Sequence, residues 1–193
     1  MMNTTNLLKE NELFFKTWLR SPKSMGSLFP SSQALARALA REVVWRPGQF
    51  VVELGAGTGA ITQGLIDHGI PREALLTIEL DEPLYEYLVQ RLPGCQVVRG
   101  DATKLDMILA ERGITEVASV VSGLPMVGMP FDFQQKIISQ GLTATGGKGP
   151  MLQYTYAPFA PVPAKKLGIR AKLCSYVLWN FPPAAVWRYE VRR

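Results

Sequence analysis

The sequence predicts an α/β fold: a seven-stranded, mostly parallel sheet with an antiparallel C-terminal hairpin and an N-terminal helical extension. Three observations predict it. Four short apolar runs between 49 and 142 each lead into a helical pattern, the first through the glycine turn GAGTG at 55–59, and after Gly149 the apolar runs follow one another with no helix between the last two. Strands alternating with crossover helices give a parallel sheet covered on both faces. Strands without such a crossover pair antiparallel.

Residues 1–46 read as the extension and residues 47–193 as the main domain. Within SPKSMGSLFP at 21–30, Pro22, Gly26 and Pro30 forbid one continuous helix. The extension therefore holds two helices, the second capped by Ser31 or Ser32 and running through ALARALAREV. In the main domain QFVVEL precedes AITQGLIDHG, LLTIEL precedes EPLYEYLVQRL, CQVV precedes TKLDMILAERG, and VASVVSG precedes FDFQQKIISQGL. A fifth strand, PMLQYTYA, enters the Pro-rich loop APFAPVPAKK; IRAKLCSYVLW and AAVWRYEVRR, split by NFPP, then form the hairpin.

At 193 residues, with 47% apolar and 19% charged side chains, the chain is long enough for one sizeable core, which excludes disordered, collagen-like and coiled-coil readings. Cys95 and Cys174 form no CxxC and His68 is the single histidine, so no disulfide framework or metal site is expected, and a reducing cytoplasmic setting fits. Twenty-one Lys and Arg against sixteen Asp and Glu leave +5, which favours an anionic partner such as nucleic acid or a lipid surface. No run reaches the roughly 18 apolar residues of a spanning helix.

The first helix of the extension is amphipathic. At about 100° per residue, Leu7, Leu8, Phe14, Phe15, Trp18 and Leu19 fall within roughly 140° of arc, opposite Lys9, Lys16 and Arg20, with Leu13 the exception. Such a face lies in a bilayer interface, with its cations toward anionic headgroups, or caps the protein's own core; the pattern supports both.

VVELGAGTG at 51–59 is the sharpest local pattern. Gly55, Gly57 and Gly59 let the backbone turn tightly and approach a ligand at the carboxyl edge of the sheet, where open α/β folds bind ligands. Ala60 occupies the third-glycine position of a dinucleotide fingerprint, and GGKG at 146–149 lacks the hydroxyl residue of a phosphate loop. Acids close the strands around the turn. Glu79 ends the second strand, with Asp81 as a second candidate; Asp101 follows the third, and Glu53 lies under the turn. Carboxylates accept ribose hydroxyls or an adenine amine, and with no basic residue in the glycine loop they suit a ribose-bearing cation better than a pyrophosphate.

The combination ELGAGTG, IELD and GDA across 48–156 resembles the seven-strand S-adenosylmethionine-dependent methyltransferases, the Rossmann-like class I methyltransferase fold. The resemblance implies S-adenosyl-L-methionine as cofactor and S-adenosyl-L-homocysteine as product. By position it places Gly55, Ala56, Gly57 and Gly59 along the methionine part. Glu79 and Leu80 fall at the ribose, Asp101 and Ala102 at the adenine, and Ser122 and Gly123 beside the methyl group.

At 122–126 the chain reads SGLPM, where adenine-N6 methyltransferases and ribosomal RNA dimethylases carry an amide or acid and an aromatic ring for a flipped base. Ser122 and Met126 replace both, which opposes a nucleic-acid partner. SGLPM, KSMGSLFPSS at 23–32 and QYTYAPFAPVP at 153–163 together resemble the bacterial phospholipid N-methyltransferases. That resemblance implies methylation of phosphatidylethanolamine and its mono- and dimethyl forms toward phosphatidylcholine, at the inner face of the cytoplasmic membrane, by a peripheral enzyme attached through its N-terminal helix. Met25, Gly26 and Ser27 then cover the cofactor.

A methyl acceptor amine must lose a proton and lie in line with the methyl group, so positioning supplies much of the rate. His68 falls in a helix away from the strand ends, which leaves water or a tyrosine hydroxyl as the proton's route. Aromatic faces bind methylated ammonium groups. Tyr154 and Tyr156, two apart on the fifth strand, are expected to form that wall, with Ser122 as a third catalytic candidate, or else to pack the core. Leu124 and Pro125 are expected against the substrate, and Lys165, with Lys166 and Lys23 as further candidates, at its phosphate.

Overall fold

The computed structural model describes residues 33–180 and 182–192. Helix α1 (Gln33–Glu42) is followed by β1 (Phe50–Leu54), α2 (Ala60–Asp67), β2 (Leu75–Glu79), α3 (Glu82–Arg91), β3 (Gln96–Arg99), α4 (Leu105–Glu111), β4 (Val117–Ser122), α5 (Phe131–Ala144), β5 (Met151–Thr155), β6 (Ile169–Val177) and β7 (Ala184–Val191). The sheet order is β3-β2-β1-β4-β5-β7-β6. Strands β1 to β5 run parallel, and β7 is antiparallel to both β5 and β6, so the expected seven strands and closing hairpin are present.

The inner strands are buried on both faces, which is why they read as nearly unbroken apolar runs. Period two divides their side chains between two cores. Val52, Leu54, Leu76, Ile78 and Val120 face α4 and α5, whereas Val51, Leu75, Val121 and Leu152 face α1 and α2. The strand order reverses between β1 and β4, and the crevice at such a switch point is where ligands bind in open α/β sheets.

The described part of the 1–46 extension is built into this cover. Leu35, Ala36, Leu39 and Ala40 of α1 are buried, and α1 meets α2 so closely that a Cβ on Gly64 would fall 2.3 Å from the Cβ of Ala36. The Val44 amide donates to Ser119 Oγ, whose hydroxyl donates back to the Val44 carbonyl, each at 3.3 Å. Arg188 of β7 lies 3.6 Å from the Glu42 carboxylate and 2.7 Å from Glu190. No helix among the described residues is long and apolar enough to cross a membrane.

Candidate functional site

Backbone hydrogen bonds continue past the strand ends and tie the carboxyl-edge turns into one row. The Gly123 amide donates to the Leu54 carbonyl at 2.8 Å, that of Gly55 to Ile78 at 2.8 Å and that of Gly100 to Glu79 at 2.9 Å. This row brings the SGLPM turn, the glycine turn, Glu79 and Asp101 together along the edge, spanning the switch point.

The three glycines of the first turn all have positive φ, but they do different things. A Cβ at Gly55 would lie 2.7 Å from Leu124 Cδ2, and one at Gly59 2.8 Å from Leu88 Cδ2, so both are held bare by packing beneath the turn. At Gly57 it would meet nothing within 4 Å. That position is open, and its amide turns back to Glu79 Oε2 at 2.8 Å.

Glu79 is almost wholly enclosed, and its other oxygen accepts the Leu80 and Asp81 amides at 2.8 and 3.0 Å. Burial raises its pKa, while the amides of Asp81, Gly57 and Leu80 hold it down by favouring the charged form. A carboxylate has about four lone-pair sites, so it retains acceptor capacity for a ribose hydroxyl. Asp101, half-buried, accepts the Thr103 amide at 2.8 Å and leaves its second oxygen to the edge; Ala102 beside it is buried. Asp81 is the N-cap of α3, accepting from Leu84 at 3.1 Å, and thus serves the helix.

Several expected site residues do other work. Glu53, expected to line the pocket, is buried under the turn and accepts the Thr62 hydroxyl. Burial, opposed by Thr62 and reinforced by the nearby Glu79, pushes its pKa up to about 8, so it is mostly neutral at pH 7 and adds no full charge to the pocket. Ser122, expected among the catalytic groups, is fully buried, and its Oγ accepts the Leu124 amide at 3.3 Å; it braces the turn. Leu124 itself packs in the core below Gly55, so only its backbone reaches the turn. Pro125, beside it, is half-buried. His68 is the exposed C-cap of α2 rather than a residue of the helix interior.

Two residues that sequence reasoning passed over hold the SGLPM turn. Buried Gln153 donates from Nε2 to the Leu124 carbonyl at 2.9 Å, and Gln134 of α5 donates to the Met126 and Met129 carbonyls at 2.8 and 3.1 Å. Gln153 interrupts the apolar strand MLQYT, which was the available signal. Met126 is fully buried and offers no face to a base.

Strand β5 ends at Thr155, one residue before Tyr156, yet the two tyrosine rings stand edge to face with centroids 6.0 Å apart. A Cβ at Gly123 would lie 3.3 Å from the Tyr154 hydroxyl and 2.6 Å from the Gly55 carbonyl oxygen. Tyr154, Gly123 and Gly55 thus converge at one point of the switch crevice. Lys165 stands exposed before β6, and the Lys166 ammonium lies 3.7 Å from the ring centre of Phe131. Met25, Gly26, Ser27, Lys23 and the amphipathic face of Phe14, Phe15, Lys16, Trp18, Leu19 and Arg20 lie outside the described residues. Among the described residues no cluster of three His, Cys, Asp or Glu side chains could hold a metal ion.

No model of a known protein family matches the chain. It is 34% identical over 145 residues to the ornithine lipid N-methyltransferase of Singulisphaera acidiphila, which covers 72% of this chain and 76% of that protein. The ribosomal RNA small subunit methyltransferase A of Thermotoga neapolitana is 30% identical over 118 residues, 61% of this chain but 43% of its own length. Among solved structures, a TehB-like SAM-dependent methyltransferase from Corynebacterium glutamicum superposes with a TM-score of 0.60 at 17% identity, over 95% of this chain and 99% of its own. The open position over Gly57 and the prepared carboxylate of Glu79 fit a ribose-bearing cofactor. The chain belongs to the family of the Singulisphaera lipid N-methyltransferase, within the Rossmann-like methyltransferases, and is a methyltransferase whose cofactor is S-adenosylmethionine.

Proposed function

We propose that this enzyme methylates the amine of a membrane lipid headgroup, phosphatidylethanolamine and its mono- and dimethyl forms, at the cytoplasmic surface of the membrane. The observation that carries the reading is the extensive similarity to a lipid N-methyltransferase, joined to a turn at 122–126 whose buried Ser122 and Met126 offer a base neither an amide nor a ring. S-adenosylmethionine supplies an electrophilic methyl group.

In this reading Glu79 and Asp101 bind the nucleoside and the bare turn at Gly57 admits it. Tyr154 and Tyr156 form the wall against which an alkylammonium headgroup packs, each ring contributing on the order of 0.5–2 kcal/mol. The headgroup ammonium must first lose one proton, to water or through the Tyr154 hydroxyl beside Gly123, to free the lone pair that would take the methyl group as the cofactor's sulfur–methyl bond breaks. Lys165 is the candidate partner of the lipid phosphate.

The name of the Singulisphaera relative favours a second substrate, ornithine lipid. The ribosomal RNA relatives align over less than half their length, and buried Met126 opposes a nucleobase. Purified enzyme is incubated with methyl-labelled cofactor and vesicles containing phosphatidylethanolamine, vesicles containing ornithine lipid, or small-subunit ribosomal RNA. Label in mono- and dimethyl phosphatidylethanolamine is the expected result. Label confined to ornithine lipid or to RNA would replace the substrate.

A further inference from the structure

The carboxyl edge of the sheet has two chemically different halves. Over β1 to β3 it carries Glu79, Asp81, Glu82 and Asp101. Over β4, β5 and the β6–β7 hairpin the chain has no Asp, Glu, Lys or Arg from 117 through 131, from 149 through 164 or from 173 through 187, and this half is flanked by Asp132 at the start of α5 and by Lys165 and Lys166, the latter over the Phe131 ring. In a chain that is 19% charged, these three stretches meet at one edge. The topology puts them there: Thr155 at the end of β5 pairs with Ala185, and Ala184 pairs with Val177, so the hairpin turn leaves the sheet on the side of the cofactor site.

These turns expose what a water-facing edge normally conceals. Trp179 and Leu178 at the hairpin turn are 91% and 69% exposed, Phe159 past the end of β5 is 57% exposed, and Val127 past β4 is 42% exposed. Scattered apolar side chains are ordinary, but several large ones rimming a single charge-poor edge mark an interaction surface.

We infer that this apolar half-edge faces the lipid bilayer, with Leu178, Trp179, Phe159 and Val127 inserted at the headgroup level beside the methyl-transfer site. The inference rests on the lipid reading of the substrate and adds where the bilayer meets the fold. Its warrant is continuity. Tyr154 and Gly123 lie at this same edge, within reach of a lipid amine whose acyl chains stay in a bilayer against it, and exposed tryptophan is an interfacial anchor. Lys165 and Lys166 at its flank suit the phosphates of lipid headgroups.

The test uses the full chain and vesicles of phosphatidylethanolamine and phosphatidylglycerol. In the double variant Leu178→Ser, Trp179→Ser, and separately in Phe159→Ser, vesicle flotation and methylation of vesicle lipid are expected to fall at least fivefold. Transfer to dihexanoyl phosphatidylethanolamine below its micelle concentration, and affinity for S-adenosylhomocysteine, should stay within twofold. Unchanged flotation and vesicle activity in both variants would overturn the inference, as would equal loss on the short-chain lipid. In a Trp179→Cys chain the thiol should react readily with a water-soluble maleimide and be protected by vesicles. Protection without vesicles would assign the patch to another part of the chain or to a second copy, and overturn it. Absence of transfer to both lipid forms would refute the substrate reading alone, since flotation still decides the surface.

Discussion

The Gly57 amide donates to Glu79 Oε2 at 2.8 Å, across the gap between the first glycine turn and the end of the second strand. Together with the Leu80 and Asp81 amides it fixes the carboxylate before any ligand arrives, so in the proposed site a ribose would meet an acceptor that needs little reorganisation. Hydrogen bonds to a charged group contribute about 1.5–3 kcal/mol. Glu79→Gln replaces one acceptor oxygen by a donor facing backbone N–H groups, and affinity for S-adenosylhomocysteine should fall by roughly 10–100-fold in calorimetry, with a lower Tm.

The glycines of the turn should separate binding from folding. Gly57→Ala adds a methyl group to open space, at about 1–2 kcal/mol of strain from its positive φ, so the protein should fold and yet bind the cofactor at least tenfold more weakly. Gly59→Ala drives a Cβ toward Leu88 and Leu92, and its loss should appear first in the melting temperature. Equal effects of both on stability, with unchanged binding in Gly57→Ala, would move the cofactor elsewhere.

Glu53 gives the stability a pH dependence of definite sign. Its pKa rises from 4.5 to about 8 on folding, so the native state holds a proton that the unfolded chain has released. Stability from this group is therefore complete below about pH 4.5, declines as pH rises toward 8 and is flat beyond. Glu53→Gln keeps an acceptor for Thr62 and removes the titration. Relative to the parent it should gain stability progressively from pH 5 to 8, on the order of 2–4 kcal/mol at the upper end, in urea titrations at fixed pH.

These two acids show what a sequence can and cannot convey. Glu53 and Glu79 occupy the same local pattern, an acid after an apolar strand and before leucine, and nothing in their own segments separates them. Their difference is tertiary: Thr62 on the following helix comes down on one, while three backbone amides surround the other. The strands were legible because inner strands are buried on both faces and so read as apolar runs. The antiparallel hairpin was legible because no crossover helix could fit between its strands. Ser122 and Leu124 were misread because a turn residue at a ligand edge can brace the backbone as readily as it can face the ligand. Gln153 carried a signal, a polar residue in a buried strand, but its partner lies on a different turn.

The docking of the first described helix rests on one close approach. Since a Cβ on Gly64 would lie 2.3 Å from that of Ala36, Gly64→Ala must push α1 off α2 despite the better helix propensity of alanine. The expected cost is about 1–3 kcal/mol. Ala36→Gly in the same chain should restore part of it in a double-mutant cycle, and additive losses would show that the contact is not shared.

Gly123 stands between the first glycine turn and Tyr154. A Cβ there would be 2.6 Å from the Gly55 carbonyl oxygen, a backbone atom that cannot rotate away, and 3.3 Å from the Tyr154 hydroxyl. Gly123→Ala must therefore part the two turns by several tenths of an ångström. Methyl transfer depends on alignment so closely that a misplacement near 1 Å costs about 100-fold. Vesicle assays should show kcat reduced at least 10-fold, and the weaker cofactor binding should account for only part of the loss in kcat/KM. Gly113→Ala, at a positive φ with nothing within 4 Å and on the turn before β4, supplies the control: similar backbone strain at the opposite edge of the sheet, with kcat unchanged. Equal kcat in the two variants would show that the crevice between Gly55, Gly123 and Tyr154 is not where the methyl group passes.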